Sequence, residues 1–334
     1  MKRSPLMLLA LALAAGPVVV VACGPSEPEA KTPTPAATVS AAPTPTTSVE
    51  PAPSPVASTP PPPPAPPAVV EDMTPSADPT PMPTVKILAP ADGTSVDAAK
   101  AAEAMVRLDV KNWETKEGGA HVHLILDDQP YKPIYDPKAP VKLGELLPKD
   151  GVLSEGLHVL HAFPSRSTHE SVKGKGASAM VTFWVGKKGK ATVDYKKPHL
   201  VYSRPKGSYA GPLAKELLVD FYLMGTTLEK GDKVRYTISG PGLASPLTGE
   251  FTKWAPKVAK NLGKGDFVFK LEYLDKDGKV VDGLLNTTSR TVKLDPDAPA
   301  GDPHAGHTTP AASASASAAA STTPPATSAS AKKK

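Results

Sequence analysis

Gly156-Leu157-His158-Val159-Leu160 returns later in the chain as Gly265-Asp266-Phe267-Val268-Phe269, and that repetition decides the fold. In the second copy Phe267 and Phe269 lie two apart, on one face of a strand. The repeat therefore puts His158 and Leu160 on the corresponding inward face. Two further pairs repeat in the same order. Val106-Arg107-Leu108-Asp109-Val110 lies over Leu217-Leu218-Val219-Asp220-Phe221, and Val122-His123-Leu124-Ile125 lies over Val234-Arg235-Tyr236-Thr237. The body of the chain, roughly 85–296, is thus two copies of one unit.

Working outward, the same alternation recurs in short runs. In the first copy these are Val85–Leu88, Ala104–Val110, His121–Leu126, Val141–Leu147, Leu157–Phe163 and Ala179–Val185. The second copy offers Leu200–Tyr202, Leu217–Leu223, Lys233–Ser239, Leu247–Thr252, Phe267–Leu274 and Arg290–Leu294. Turn signals such as Asp92-Gly93, Gly118-Gly119, Asp150-Gly151, Gly240-Pro241-Gly242 and Asp277-Gly278 separate them. Only Asp97–Ala104 and Leu213–Leu218 have room for a helical turn or two. The expected fold class is all-β.

About 100 residues and six or seven strands per unit is the size of one immunoglobulin-like sandwich. The opening Ile87-Leu88-Ala89-Pro90-Ala91-Asp92-Gly93 and the later Glu155-Gly156-Leu157-His158-Val159-Leu160 resemble the first and sixth strands of bacterial Ig-like domains. The resemblance implies two tandem β-sandwich domains, 85–188 and 196–296. It carries no activity with it.

The ends read differently. Of 41 prolines, about half fall between Pro25 and Pro83. Such a segment buries too little apolar surface to offset the entropy of ordering it. Residues 23–84 are expected to be a disordered, extended stalk and the Ala/Ser-rich 297–334 a disordered tail. At the start, Met1-Lys2-Arg3 and the apolar Leu6–Val21 stretch, interrupted by Gly16-Pro17, fit a signal peptide over 1–22 better than a membrane span. Val20-Val21-Ala22-Cys23 resembles the lipobox of bacterial lipoproteins, and Cys23 is the single cysteine. The resemblance implies that Cys23 carries the lipid and anchors the chain in a membrane. Gly24 in place of an aspartate implies the outer membrane.

Composition also excludes. With one cysteine, claimed by lipid, there is no Cys-based zinc site and no thiol nucleophile. A net charge of +5, falling to +3 without Lys2 and Arg3, is no nucleic-acid footprint. No Gly-x-Ser-x-Gly elbow or phosphate-cradling loop is present, so a non-catalytic role is expected.

Two places carry candidate chemistry. His121, His123 and His161 align with Lys233, Arg235 and Lys270 of the second copy, a face expected to meet water. His-x-His on one strand with a third histidine on its neighbour can bind Zn²⁺ or Cu²⁺, and His169 in the following loop can join. The other reading is a polar outer face without a ligand. The second place is Gln129–Pro137, whose Tyr131, Ile134 and Tyr135 among three prolines have the composition of a rigid binding loop; a hairpin covering a sheet edge is its alternative. Three functions follow: an envelope lipoprotein that binds or spaces, with a protein or polysaccharide partner; a periplasmic copper- or zinc-binding protein; or an accessory subunit of an envelope enzyme or transport complex.

Overall fold

The computed structural model describes residues 66–300. The lipobox with Cys23, the first part of the stalk and the tail from residue 301 lie outside the described residues. In chain order the strands are β1 (Val69–Asp72), β2 (Thr84–Ala89), β3 (Thr94–Val96), β4 (Met105–Lys111), β5 (His121–Leu126), β6 (Lys132–Ile134), β7 (Val141–Lys142), β8 (Gly156–Ser165) and β9 (Ala179–Val185). They continue as β10 (His199–Arg204), β11 (Gly207–Ala210), β12 (Glu216–Met224), β13 (Lys233–Ser239), β14 (Leu247–Phe251), β15 (Lys257–Lys260), β16 (Gly265–Leu274) and β17 (Thr287–Asp295).

The duplication holds strand for strand. In the first sandwich β2-β4-β7 faces β3-β9-β8-β5-β6; in the second β10-β12-β15 faces β11-β17-β16-β13-β14. The opening strand of each is split between its two sheets. β2 pairs antiparallel with β4 before β3 runs parallel to β9, and β10 and β11 do the same with β12 and β17. These are two Ig-like β-sandwiches. Leu124, Leu160 and Phe183 lie in the first core, and Phe221, Phe267 and Phe269 in the second. The expected helical turns are 3-10 turns at Ala98–Glu103 and Gly211–Ala214; from Glu216 the chain is already strand. The expected strand Val141–Leu147 stops at Lys142 and continues as a 3-10 turn, Leu143–Leu146.

One boundary moves. The stalk was expected to run to residue 84, yet Val69–Asp72 is a strand on the edge of the second sandwich, paired antiparallel with β15. Val70 packs against the second core, and Lys257 and Lys260 pair with Asp72 and Glu71. From there the chain crosses to the first sandwich, where Ser76 N donates to Glu170 Oε1 at 3.0 Å and Ala77 O accepts from Arg166. Local composition could not reveal this strand, because its partner lies at the far end of the sequence.

A larger correction concerns the histidine face. β5 alternates as expected, with Val122, Leu124 and Leu126 in the core. Its other face, His121, His123 and Ile125, is nevertheless as buried as the core. The second sandwich lies against it: Ile125, Tyr131 and Phe163 pack with Val201, Tyr222 and Met224 of β10 and β12. The face expected to meet water is the joint between the sandwiches. On β13 the corresponding residues stay half-exposed, and Arg235 and Lys270 share Glu272 there.

Candidate metal centre

At one end of this joint three histidines converge. His121, His123 and His169 are all buried, and each offers a ring nitrogen within 4.8 Å of the others. The first two come from strand period alone, two residues apart on one face of β5. The third comes from the loop between β8 and β9. His169 has φ +67, the left-handed region uncommon for a residue with a side chain. Its turn is held by His169 N donating to Arg166 O at 2.9 Å and Arg166 N donating to Glu170 O at 2.9 Å.

The rings are oriented from outside the cluster. His121 Nδ1 donates to Gly119 O at 2.7 Å, since a carbonyl only accepts, and this places the lone pair of the ring on Nε2. His123 Nδ1 meets Ser203 Oγ at 3.1 Å, and its Nε2 faces His121 Nε2 at 3.0 Å. His169 Nδ1 meets Tyr131 OH at 3.3 Å. Outer partners on Nδ1 that fix ring orientation are the arrangement found around metal-ligating histidines. Ser203 can receive as well as donate, so His123 can exchange its tautomer and turn a lone pair inward.

Burial sets the charge. His123 is held well below the ordinary imidazole value, first by burial, then by His121, His169, Arg204 and Lys206. It is a neutral donor at physiological pH, the form a metal requires. Tyr131 stacks on His123 with ring centres 3.5 Å apart, and burial pushes its phenol far up, so it stays protonated. Lys206 lies 4.2 Å from the Tyr131 ring centre, and burial, with Arg204 and Arg290, brings its ammonium down to about 7.

The expected set splits. His161 is on the joint face but not in the cluster; its Nε2 meets His199 Nε2 of β10 at 2.9 Å. His158 points inward, as its alignment with Phe267 requires, against Phe183. Burial works against its charge, but Asp127 and the Ser154 carbonyl outweigh burial and raise its value. The binding loop is also corrected. Tyr131 and Ile134 are buried, because β6 pairs with β5 and carries them inward. Tyr135 is half-buried, 5.2 Å from His121 between ring centres. The two candidate sites are therefore neighbours, with tyrosines from one walling the histidines of the other. Sequence reasoning missed Ser203, Arg204, Lys206 and His199, which reach the first sandwich only through docking of the second.

No family model matches the chain, and no curated protein matches it in sequence. Solved structures do. The fibronectin(III)-like modules of CbhA from Clostridium thermocellum match at 14% identity over 64% of this chain and 94% of theirs, with a TM-score of 0.22. A putative membrane anchored protein from Corynebacterium diphtheriae matches at 11% identity over 65% of this chain and 60% of its own, at 0.21. A SusE-like surface located polysaccharide binding protein from Bacteroides thetaiotaomicron matches at 11% identity over 62% and 89%, at 0.19. Similarity at this level assigns no role, and the two-sandwich architecture rests on the strand pairing itself.

Proposed function

We propose that this chain is a lipid-anchored, non-catalytic protein of the bacterial cell envelope that binds a copper or zinc ion through His121, His123 and His169. The observation that carries the metal reading is the convergence of three buried imidazoles whose Nδ1 atoms are tied to Gly119 O, Ser203 Oγ and Tyr131 OH. Imidazole suits both ions. Nitrogen bonds of about 2.0 Å set ligand nitrogens about 3.3 Å apart, so His121 Nε2 and His123 Nε2, 3.0 Å apart, would part slightly to admit an ion. The envelope location rests on Val20-Val21-Ala22-Cys23 and its resemblance to a lipobox. Among the described residues no helix is long and apolar enough to cross a membrane. Of the loop expected to meet a protein or polysaccharide partner, Tyr131 and Ile134 are turned into the molecule and Tyr135 is half-buried.

Calorimetric titration of the full chain with Cu²⁺ and Zn²⁺ tests this. One-to-one binding at micromolar affinity or tighter is expected. It should survive His161→Ala, disappear in the triple His121/His123/His169→Ala variant, and weaken about 10-fold in Ser203→Ala, where only the outer partner of a ligand is lost. Circular dichroism of each variant separates lost ligands from lost folding. No heat, or heat that survives the triple substitution in a folded variant, would overturn the proposal.

A further inference from the structure

We infer that residues 69–83 are a clasp on the loop that carries His169, docked while an ion is held and detached when it leaves; this rests on the three-histidine site proposed above. Two observations carry it. The first is the path of the segment. It begins as β1 on the edge of the second sandwich, where Lys260 pairs with Glu71 at 2.9 Å and Met73 N donates to Pro256 O at 3.2 Å. It ends where the chain enters β2 of the first sandwich. In between it runs along the loop that joins β8 to β9. Ser76 meets Glu170, Ala77 O accepts from Arg166 at 2.6 Å, and Met82 covers Gly174. A Cβ at Gly174 would stand 2.7 Å from the Met82 methyl carbon, so this contact is tightly packed. Val85 N then donates to Gly176 O at 3.1 Å.

The second observation is what the loop loses without the segment. Glu170 follows His169 directly and is 3% exposed. Its Oε1 accepts from Ser76 N at 3.0 Å, and its Oε2 from the Ser76 hydroxyl. Arg166 stands further off, with Nε 3.7 Å from Oε2. Among the described residues, Ser76 supplies the hydrogen bonds of this carboxylate. Withdrawing it leaves a buried charge without them, and the loop escapes that penalty only by turning Glu170 out to water. Such a turn displaces His169, whose backbone already sits at φ +67.

The clasp is also held lightly enough to come away, as a switching element must be. Four of the eleven residues from Met73 to Pro83 are proline, which denies the segment a hydrogen-bonded structure of its own. β1 is four residues long, and its acids Glu71 and Asp72 are exposed, where ion pairs contribute little. Linkage runs both ways: the docked clasp favours the ion, and the ion favours the docked clasp by the same factor.

The test loads the full chain with Zn²⁺ and, in a parallel run, with Cu²⁺. It follows loss of the ion to an excess of chromogenic chelator, and amide hydrogen exchange of 69–77 and 166–176. Two variants detach opposite ends of the clasp. Ser76→Pro removes both donors to Glu170. Lys257→Glu/Lys260→Glu sets like charges against Asp72 and Glu71, on the sandwich that does not carry the histidines, and serves alone should Ser76→Pro fail to fold. Each should speed exchange in both segments and speed ion loss about 10-fold, the order expected for losing a hydrogen bond to a charged group. In the wild type the ion should slow exchange of 69–77. Lys264→Glu, which reverses a charge at the exposed pair with Asp295 of the same sandwich, should change none of these. Wild-type ion loss from a variant whose exchange shows the clasp detached would overturn the clasp and leave the metal site standing. A wild type that takes up neither ion would overturn the site and the clasp with it.

Discussion

Asp220→Ala should be the most damaging single substitution at the joint, costing about 3–5 kcal/mol of stability, the range for removing one partner of a buried ion pair. Asp220 is fully buried on β12, at the position that repeats Asp109. It takes the backbone N–H of Ser171 at 2.9 Å, the hydroxyl of Ser171, and the ammonium of Lys173 at 2.7 Å. All three donors come from the loop of the first sandwich that carries His169. Alanine leaves Lys173, with only 13% of its side chain exposed, without a counter-charge. It also leaves two more donors short of an acceptor inside the joint. Urea unfolding should show the loss as a lowered midpoint. Asp220→Asn should fall between, since it keeps an oxygen for Ser171 but no charge for Lys173. The exposed pair of Lys276 with Asp277 is the control: breaking it should leave the midpoint where it is. A wild-type midpoint in Asp220→Ala would mean that the two sandwiches do not depend on this contact.

The same residue shows how far the sequence could be read. Strand period and the repeat placed the alternating runs on β4, β5, β8 and their copies, because one face of each meets its own core. The parity of the histidines was legible too. His158 faces inward like Phe267, while His121, His123 and His161 take the other side. What the pattern does not contain is the environment of that other side. A strand reads as half-polar whether its second face meets water or a polar joint, and here the joint is lined with His123, Ser203, Asp220 and Lys173. The copy misled for the same reason, since Lys233, Arg235 and Lys270 occupy a face that stays half-exposed among the described residues.

The site was legible in pieces. His-x-His puts two of the three converging imidazoles on one face, and His169 in the following loop is the third. His161 was expected with them because it sits on the neighbouring strand. Register explains its absence: His161 lies across from Ile125 and His123 across from Phe163, so an aromatic residue occupies the position beside the cluster. The prolines of 129–137 suggest rigidity, which fits a binding loop and a hairpin covering a sheet edge equally well. Pairing of β6 with β5 instead spends that rigidity on holding Tyr131 against His123. Val69–Asp72 was hidden by its neighbours, a short apolar pair at the end of a proline-rich run.

Acidification should weaken the joint before any carboxylate titrates, through His161 and His199. Burial holds His161 well below its unfolded value of about 6.5, and the facing His199 adds to this. Burial also lowers His199, against the Lys197 carbonyl that holds its Nδ1 at 2.8 Å. His199 lines a cavity of about 390 Å³ that gives protons access to the pair. The titratable side chain beside them, Tyr195, is pushed up to about 12 by burial and stays neutral. Between the folded and unfolded values the unfolded chain binds protons that the folded joint refuses, so stability present above about pH 6.5 is lost as pH falls. Each such group contributes at most about 1.36 kcal/mol per pH unit, and His123, which burial holds well below the same value, adds to the pair. His158 acts in the opposite sense on the other side of that value. Its raised value contributes stability that is complete below about 6.5 and fades as pH rises through the folded value. Urea midpoints measured with a metal chelator present, at intervals from pH 8 to 5, should therefore fall steeply below 6.5. A His161→Gln/His199→Gln variant should make that fall shallower by the share of these two side chains, leaving the share of His123. An unchanged slope in the folded double variant would remove the pair from the account and assign the acid sensitivity to other groups.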